Sequence, residues 1–186
     1  MKKFMLLLAV AFSFQLSSAQ STWKVDKAHS SISFSVSHFM ISEVTGNFKQ
    51  FDIEATAGAQ FENPSFDVSI AAGSIDTNQG GRDNHLKAPD FFDVKNHAQI
   101  TFKSESFTAG ENGTFTTKGT ITIKGVRKEV VFKGKLNGVI KGRNGKHKAG
   151  LKLTTQIKRE DFNLGKGMTP IGKDVTVTVH LEMNQQ

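Results

Sequence analysis

The chain has 186 residues, no cysteine and a formal net charge of +7 at pH 7. The missing cysteines exclude disulfides, thiolate metal sites and a lipid attached to a cysteine. The lysines are scattered along the chain, which is typical of a solvated surface, so we expect no nucleic-acid partner.

Residues 1–19 have the pattern of a cleaved signal peptide. Lys2 and Lys3 begin it, an apolar run extends from Phe4 to Phe14, and Ala19 is a small residue at the cleavage site. An apolar run of about eleven residues is too short for a bilayer, which needs roughly twenty. The sequence therefore predicts export, most simply to a bacterial periplasm. We expect a mature protein with no segment integral to a membrane.

The mature domain, residues 20–186, is dominated by a period of two. Ile32, Phe34 and Val36 alternate with serines, and Val175 begins a similar alternation with polar residues near the end of the chain. Such alternation is typical of strands that are buried on one face. The predicted strands lie near residues 24–39, 46–61, 65–74, 97–108, 113–124, 128–140, 146–160 and 173–184.

Short turns connect these strands. Asn112-Gly113, Asn137-Gly138 and Asn144-Gly145 are pairs that favour the positive φ angles of tight hairpins, and Gly125 indicates a further reversal. Successive hairpins favour an up-and-down meander that closes into a barrel and so has no exposed edges. The predicted fold class is all-β, an eight-stranded antiparallel barrel.

One segment, near residues 81–93, breaks the period of two. Asp83 or Asn84 can cap a short helix there, and Phe91 and Phe92 are expected to pack inward. A short helical insert of this kind commonly covers the mouth of a barrel.

The mature domain contains thirteen phenylalanines, one tryptophan and no tyrosine. Phenylalanine cannot form hydrogen bonds, so these rings fit either a packed core or the wall of an apolar ligand cavity. Composition alone favours the packed core.

Six histidines raise the question of a metal site. None forms a His-x-His or His-x-x-x-His pair, so the spacing predicts no metal, although folding can still unite distant ligands such as His29, His38 and His85. His38 continues the inward parity of its strand. We expect it at a strand end, where it either contacts a polar head group or is solvated.

Arg82, Asp83 and His85 form the densest polar cluster. One interpretation is an enzyme in which His85 is a general base oriented by Asp83, but no motif places a nucleophile beside them. The other is an ion pair that ties the insert to the barrel, and Arg159 with Asp161 fits the same interpretation. Either Arg82 or Arg159 can bind a phosphate or carboxylate.

Motifs along most of the mature chain resemble those of the YceI-like family of exported bacterial lipid-binding proteins. The matching segments are Trp23 to Phe34 with Asp26 and His29, then Val36, His38, Gly46 to Phe48, Ser74 to Thr77, Arg82 to Leu86 with His85, Phe91 to Asp93, Ile100 to Phe102, Ile121 to Gly125 and Arg159 to Phe162. Their order and spacing together are specific.

The resemblance implies a lipocalin-like barrel with a helical insert, and an elongated cavity for a polyisoprenoid, a quinone-like molecule or another long amphipathic lipid. It implies no catalytic residues and no cofactor. We therefore expect a non-enzymatic carrier or sequestering protein.

The predicted ligand-binding residues combine strand parity, the aromatic insert and these motifs. They are Phe34, Val36, His38, Phe48, Arg82, His85, Phe91, Phe92, Ile100, Phe102, Ile123 and Phe162. Of these, His38, Arg82 and His85 are the candidates for the polar end. The alternatives are a lipid- or quinone-modifying enzyme that uses His85 and a non-catalytic, stress-related interaction module. A homodimer and a transient contact with a membrane surface remain open.

Overall fold

The structure is a computed structural model that describes residues 20–186. The signal peptide predicted for residues 1–19 lies outside the described residues. Among the described residues, no helix is both long and apolar enough to cross a bilayer. The strands are β1 (Ser21–Val25), β2 (Ser31–His38), β3 (Ser42–Phe48), β4 (Phe51–Ala57), β5 (Ser65–Ala71), β6 (Ile75–Asp76), β7 (Gln99–Ala109), β8 (Thr114–Ile123), β9 (Val126–Lys141), β10 (His147–Lys158) and β11 (Ile171–Gln185), and the helix α1 is Gly80–Leu86.

The eleven strands form one antiparallel sheet that closes into a barrel of eight positions. Each of the first three positions consists of two successive strands: β1 with β2, β3 with β4, and β5 with β6. Strand β11 closes the barrel because it pairs with β1 at Met183 and with β2 at Val177. The predicted eight-stranded antiparallel barrel with a short helical insert is confirmed.

The predicted bounds of the first strands are wrong, because three barrel positions are interrupted. The predicted strand 24–39 is broken by a turn at residues 26–30, and the predicted strand 46–61 is broken between β3 and β4. The inward parity changes at the first break, from Trp23 to Ile32. A regular strand keeps its odd residues on one face, so the chain must be interrupted or bulged where the parity changes.

The turn predictions are partly confirmed. Asn112-Gly113, Gly125 and Asn144-Gly145 lie at reversals between strands. Asn137-Gly138 does not, because both residues lie inside β9. There Asn137 is an extra residue in the ladder, between the pairs formed by Leu136 and by Gly138 with β10. The Asn-Gly pair therefore forms a bulge and not a hairpin turn.

Residues 77–98 form the insert between β6 and β7, and α1 is its only helix. The cap of α1 is Gln79, whose side-chain oxygen accepts a hydrogen bond from the backbone N–H of Arg82. The predicted caps, Asp83 and Asn84, lie inside the helix. The carboxylate of Asp83 instead accepts hydrogen bonds from the backbone N–H and the hydroxyl of Thr77, at 2.9 and 2.5 Å.

The insert covers an incomplete part of the barrel wall. Strand β3 pairs with β6 only through Asn47 and Phe48, so residues 42–46 have a strand partner on one side only within residues 20–186. The ring of Phe92 packs edge-on against Phe48, with centroids 5.8 Å apart. The gap lies at the end of the barrel where the insert sits.

The two ends of the barrel interior differ. The end nearest β1, which we call the packed end, is filled by buried apolar side chains. Its buried residues include Trp23, Ile53, Ala55, Phe61, Phe66, Phe115, Leu151 and Met183. The opposite end, which we call the cavity end, contains an open volume.

Candidate functional site

The cavity end contains a cavity of about 530 Å³. Its strand residues are almost all apolar: Ile32, Ser33, Phe34, Val36, His38, Val44, Phe48, Ile70, Ile75, Ile100, Ile121, Ile123, Ile157, Ile171, Val175 and Val177. The insert adds Gln79, Gly81, Arg82, His85, Leu86, Phe91 and Phe92, and the segment after β10 adds Arg159, Leu164 and Met168. The result is an apolar chamber with a small number of polar groups, which is the usual composition of a small-molecule site.

The wall is mainly aliphatic, although the sequence contains many aromatic residues. Only four of the thirteen phenylalanines in the described chain line the cavity: Phe34, Phe48, Phe91 and Phe92. Other rings pack against each other in pairs outside it, as Phe107 does with Phe115 at a centroid distance of 5.1 Å. The phenylalanines therefore serve both purposes: some line the cavity, and others fill the packed core.

Ten of the twelve residues predicted to bind a ligand line this cavity. The other two, Phe102 and Phe162, do not. Phe102 is one inward position farther along β7 than Ile100 and packs against Phe132, with ring centroids 5.1 Å apart. Phe162 is 2% exposed in the 3₁₀ turn after β10 and belongs to the core.

Arg159 is the buried cation of the site, at 3% exposure. All five of its N–H groups donate to backbone carbonyls of the segment that follows. The acceptors are Leu164 (2.8 Å), Gly165, Met168 (2.8 Å), Ile171 (3.0 Å) and Gly172 (2.8 Å). These five bonds fix the mouth loop, residues 163–170. Because they use every donor, Arg159 has no free N–H for a ligand phosphate or carboxylate.

The mouth loop and the insert are joined to each other. The backbone N–H of Gly165 donates to Asp90 at 2.7 Å, and the Lys124 ammonium donates to Pro89 and Asn163 at 2.7 and 3.0 Å. Gly165 has φ of +54°, and a Cβ at this position would lie 2.7 Å from the Phe91 ring. Any larger residue would clash with Phe91, so only glycine allows the mouth loop to pack this closely against the insert.

Arg82 differs from Arg159 in its bonding. Its Nε donates to the Thr77 hydroxyl at 2.7 Å and its Nη2 donates to the Thr77 carbonyl at 2.8 Å. Within residues 20–186, Nη1 makes no hydrogen bond and no carboxylate lies within 4.0 Å of the guanidinium. Arg82 is therefore a positioned cation at the cavity wall with donors still available.

The two histidines of the mouth differ as well. The Nε2 of His85 lies 2.6 Å from the Asp90 carboxylate, and its ring packs edge-on to Phe91 at 5.0 Å. The interpretation in which Asp83 orients His85 is therefore wrong, since Asp83 is bonded to Thr77 instead. His38 also lines the cavity, with Phe39 against its ring at 4.4 Å.

The remaining candidate metal ligands do not meet in the cavity. His29 lies against Asp26, with Nδ1 3.1 Å from the carboxylate, and Glu182 completes a small group near β1. The hydrogen bond from His29 lowers the pKa of Asp26. The Lys148 ammonium, 2.6 Å from Glu182, supplies this group with a cation of its own. His29 is therefore not joined to His38 and His85.

Sequence reasoning missed most of the aliphatic wall. Ile70, Ile121, Ile157, Val175 and Val177 line the cavity and were not among the predicted site residues. Their alternation was visible, but it marks every inward residue of a strand in the same way. Whether an inward residue lines the cavity depends on its position along the barrel axis, and strand register determines that position.

Known proteins resemble this chain both in sequence and in fold. The YceI-like domain matches residues 23–183. The chain is 33% identical over 163 residues to a UPF0312 protein of Ectopseudomonas mendocina, covering 86% of this chain and 85% of that protein. It is 34% identical over 167 residues to a UPF0312 protein of Staphylococcus aureus, covering 86% and 95%.

Solved structures show the same fold. A YceI protein of Campylobacter jejuni matches with a TM-score of 0.74 and 31% identity, over 100% of this chain and 99% of that one. BcnA of Burkholderia cenocepacia matches with a TM-score of 0.77 and 23% identity, over 85% and 98%. A polyisoprenoid binding domain from Saccharophagus degradans, implicated in plant cell wall breakdown, matches with a TM-score of 0.70 and 15% identity, over 88% and 98%. With the domain match across residues 23–183 and relatives above 30% identity, this chain belongs to the YceI-like family.

Proposed function

We propose that the protein is a periplasmic carrier that holds a polyisoprenoid, a quinone-like molecule or another long-chain amphipathic lipid inside the barrel. The observation that carries the proposal is the cavity of about 530 Å³, whose wall is mainly aliphatic and whose arginines and histidines come from the end of β2, the insert and the segment after β10. Burial of an apolar chain against such a wall contributes about 25 cal/mol per Å². Family membership supports a binding protein over an enzyme.

The volume limits how much of a ligand is held. A methylene group is about as large as a water molecule, roughly 30 Å³. The cavity of about 530 Å³ therefore holds on the order of eighteen carbon atoms, which corresponds to three or four isoprene units. A longer chain would place its remainder at or beyond the mouth.

The polar groups at the mouth suggest the orientation of the lipid. Arg82 has an unused Nη1 and no carboxylate within 4.0 Å among residues 20–186. His38 and His85 line the same cavity. A head group with a phosphate, carboxylate or carbonyl oxygen fits beside Arg82, while the apolar chain extends toward the wall formed by Ile121 and Val177.

The fold-level match to a polyisoprenoid binding domain of Saccharophagus degradans supports this ligand class. At 15% identity it supports the class of molecule and not the individual contacts.

Two measurements test the carrier proposal. Organic extraction of the purified protein followed by mass spectrometry should recover a long-chain lipid in near-stoichiometric amount. Titration with a fluorescent long-chain lipid should give saturable binding. Val177→Trp fills the cavity and should weaken this binding at least tenfold, whereas Val131→Trp on the exposed outer face of β9 should leave it unchanged. An empty extract together with no saturable binding would favour the interaction module and exclude the carrier.

Export is tested separately. Fractionation should place the protein in the periplasm, and its first residue should be Gln20. Recovery of residues 1–19 on the cytoplasmic protein would contradict this part of the proposal.

The rival function is a lipid- or quinone-modifying enzyme, which the pairing of His85 with Asp90 at 2.6 Å favours. A carrier returns a lipid with the mass it had before incubation. An enzyme changes that mass, and His85→Ala would abolish the change. Mass spectrometry of the recovered lipid therefore separates the two functions.

A further inference from the structure

Three consecutive large apolar residues lie exposed at the turn between β2 and β3. Phe39, Met40 and Ile41, which we call the apolar tip, are 60%, 95% and 88% exposed. The other large apolar residues that are exposed among residues 20–186, Val131 and Ile140, stand singly on β9. Runs of exposed apolar residues reduce solubility and are uncommon unless they contact something.

The backbone of the apolar tip is unfavourable for these side chains. The backbone N–H of Ile41 donates to the His38 carbonyl at 3.2 Å, so Phe39 and Met40 are the central residues of the turn. Their φ angles are 50° and 60°. Turns of this kind favour Asn and Gly, and the left-handed region costs other residues roughly 1–2 kcal/mol each. The apolar tip therefore lowers stability as well as solubility, which points to a role outside the fold.

The apolar tip adjoins the mouth of the cavity. The backbone N–H of Phe39 donates to Pro170 of the mouth loop at 2.8 Å, and the Phe39 ring packs against His38, which lines the cavity. Phe39 and Met40 also line a surface depression together with Met168 and Ile171, and the ion pair between Glu160 and Lys173 lies in the same depression. Met168 and Ile171 also line the cavity, so these two apolar side chains connect the apolar tip to the interior.

We propose that the apolar tip inserts into a lipid bilayer and aligns the cavity mouth with the membrane, so that the cargo enters and leaves without crossing water. This inference rests on the proposed carrier function, because it gives the route by which the lipid is loaded. The three side chains offer on the order of 400 Å² of apolar surface, about half of the roughly 800 Å² per partner of a stable protein interface. A projecting tip of this size is too small for a protein partner but suits shallow insertion among lipids.

The test removes the apolar tip without weakening the turn. The triple variant Phe39→Asn, Met40→Gly and Ile41→Thr introduces residues that favour this turn geometry, so the barrel should remain folded. The matched control is the double variant Val131→Thr and Ile140→Thr, which removes exposed apolar residues of β9. Flotation with phosphatidylcholine vesicles measures the fraction of each protein that is membrane-bound, at 0.15 M and 1 M salt.

The wild type and the control should float with the vesicles at both salt concentrations, because insertion is apolar. The triple variant should lose at least tenfold of its vesicle-bound fraction. Equal flotation of all three proteins would overturn the proposal. So would binding that disappears at 1 M salt, or a wild-type dimer that the triple variant converts to a monomer.

A second readout separates this inference from the carrier function. The triple variant should bind a fluorescent long-chain lipid from solution with wild-type affinity, since none of the three residues lines the cavity. It should extract the same lipid from vesicles at least tenfold more slowly. If no variant binds the lipid from solution, the carrier function fails while flotation still decides the role of the apolar tip. If extraction is as fast as in the wild type, the inference fails while the carrier function stands.

Discussion

The packed end and the cavity end belong to one continuous sheet, but their interiors are different. At the packed end Trp23 is fully buried and stacks edge-on against Phe61, with ring centroids 4.9 Å apart. Its indole N–H has no hydrogen-bond partner within residues 20–186. At the cavity end the inward residues are mostly isoleucine and valine, and they leave about 530 Å³ open. An eight-stranded barrel is just wide enough for side chains to fill, so the size of those side chains decides whether a cavity remains.

The two ends also differ in what holds them together. The packed end is stabilised mainly by the burial of aromatic and aliphatic side chains. The cavity end lacks much of that packing, and hydrogen bonds fix the two segments at its mouth instead. Arg159 bonds to the mouth loop, and Asp83 bonds to Thr77 at the start of the insert. Polar side chains that bond to the backbone, Arg159 to carbonyls and Asp83 to an N–H, can thus fix a mouth without filling the space behind it.

Removing one phenylalanine from each end tests whether the two ends are packed differently. Phe115→Ala leaves a new void in the packed end, and we expect unfolding in denaturant to show a loss of about 4 kcal/mol. Phe34→Ala enlarges a cavity that already exists, so the loss should be about 2 kcal/mol. Equal losses for the two variants would show that the ends are packed alike.

The two arginines of the mouth provide the second test. Arg159→Met removes five hydrogen bonds from a buried position, and we expect a loss of about 3 kcal/mol in the free energy of unfolding. Amide hydrogen exchange should accelerate at residues 163–170. Arg82→Met removes two hydrogen bonds, both to Thr77, and should cost about 1 kcal/mol while weakening the binding of phosphate-bearing lipids. The comparison fails if Arg82→Met destabilises the protein as much as Arg159→Met.

The fold was predictable because period-two alternation and Asn-Gly turns are local signals. The interruptions of the first three barrel positions were not predicted. The first two are marked by a change in which residues point inward. These are odd-numbered in β1 but even-numbered in β2, and even-numbered in β3 but odd-numbered in β4. Asn137-Gly138 misled for a related reason: the same pair that favours a hairpin is also tolerated in a bulge, and only pairing with β10 distinguishes the two.

The candidate site was predictable where a residue differs chemically from its surroundings. Arg82, His85, Phe91 and Phe92 stand in the segment that breaks the strand pattern, and all four line the cavity. Val177 could not be separated in the same way from Leu181, because both are inward residues of β11 and only their level in the barrel differs. The partner of His85 was also unpredictable, since Asp90 reaches it only through the turn after α1.

Loading with lipid should sharpen the difference between the ends. A ligand that binds only the folded protein stabilises it by about 2.7 kcal/mol at a free concentration one hundred times its Kd. After delipidation and reloading, the gain in hydrogen-exchange protection should be concentrated in the insert and the mouth loop. The strands around Trp23 should show only the global change. Protection that increases uniformly over the barrel would contradict a ligand held at one end.

Lowering the pH should give the smallest effect, and it should reduce the stability of the fold through groups at both ends of the barrel. At the packed end a hydrogen bond from His29 holds the pKa of Asp26 below its usual value of 3.8. At the cavity end the pKa of Glu160 is held below 4.5, mainly by Lys173 and also by the backbone N–H of Gly167. A carboxyl group with a lowered pKa stabilises the fold above its unfolded value, and this contribution is lost as the pH falls through the folded value.

The matched variants are Asp26→Asn and Glu160→Gln. At pH 7 each should be slightly less stable than the wild type, because each variant removes the charge from an ion pair near the surface. The differences should shrink as the pH falls below 3.8 for Asp26 and below 4.5 for Glu160. Denaturant midpoints measured from pH 7 down to pH 2.5 check this. Since Glu160 contacts the mouth loop, its variant should also raise hydrogen exchange around Gly167. Asp26→Asn should leave exchange there unchanged, because its partners lie at the other end of the barrel.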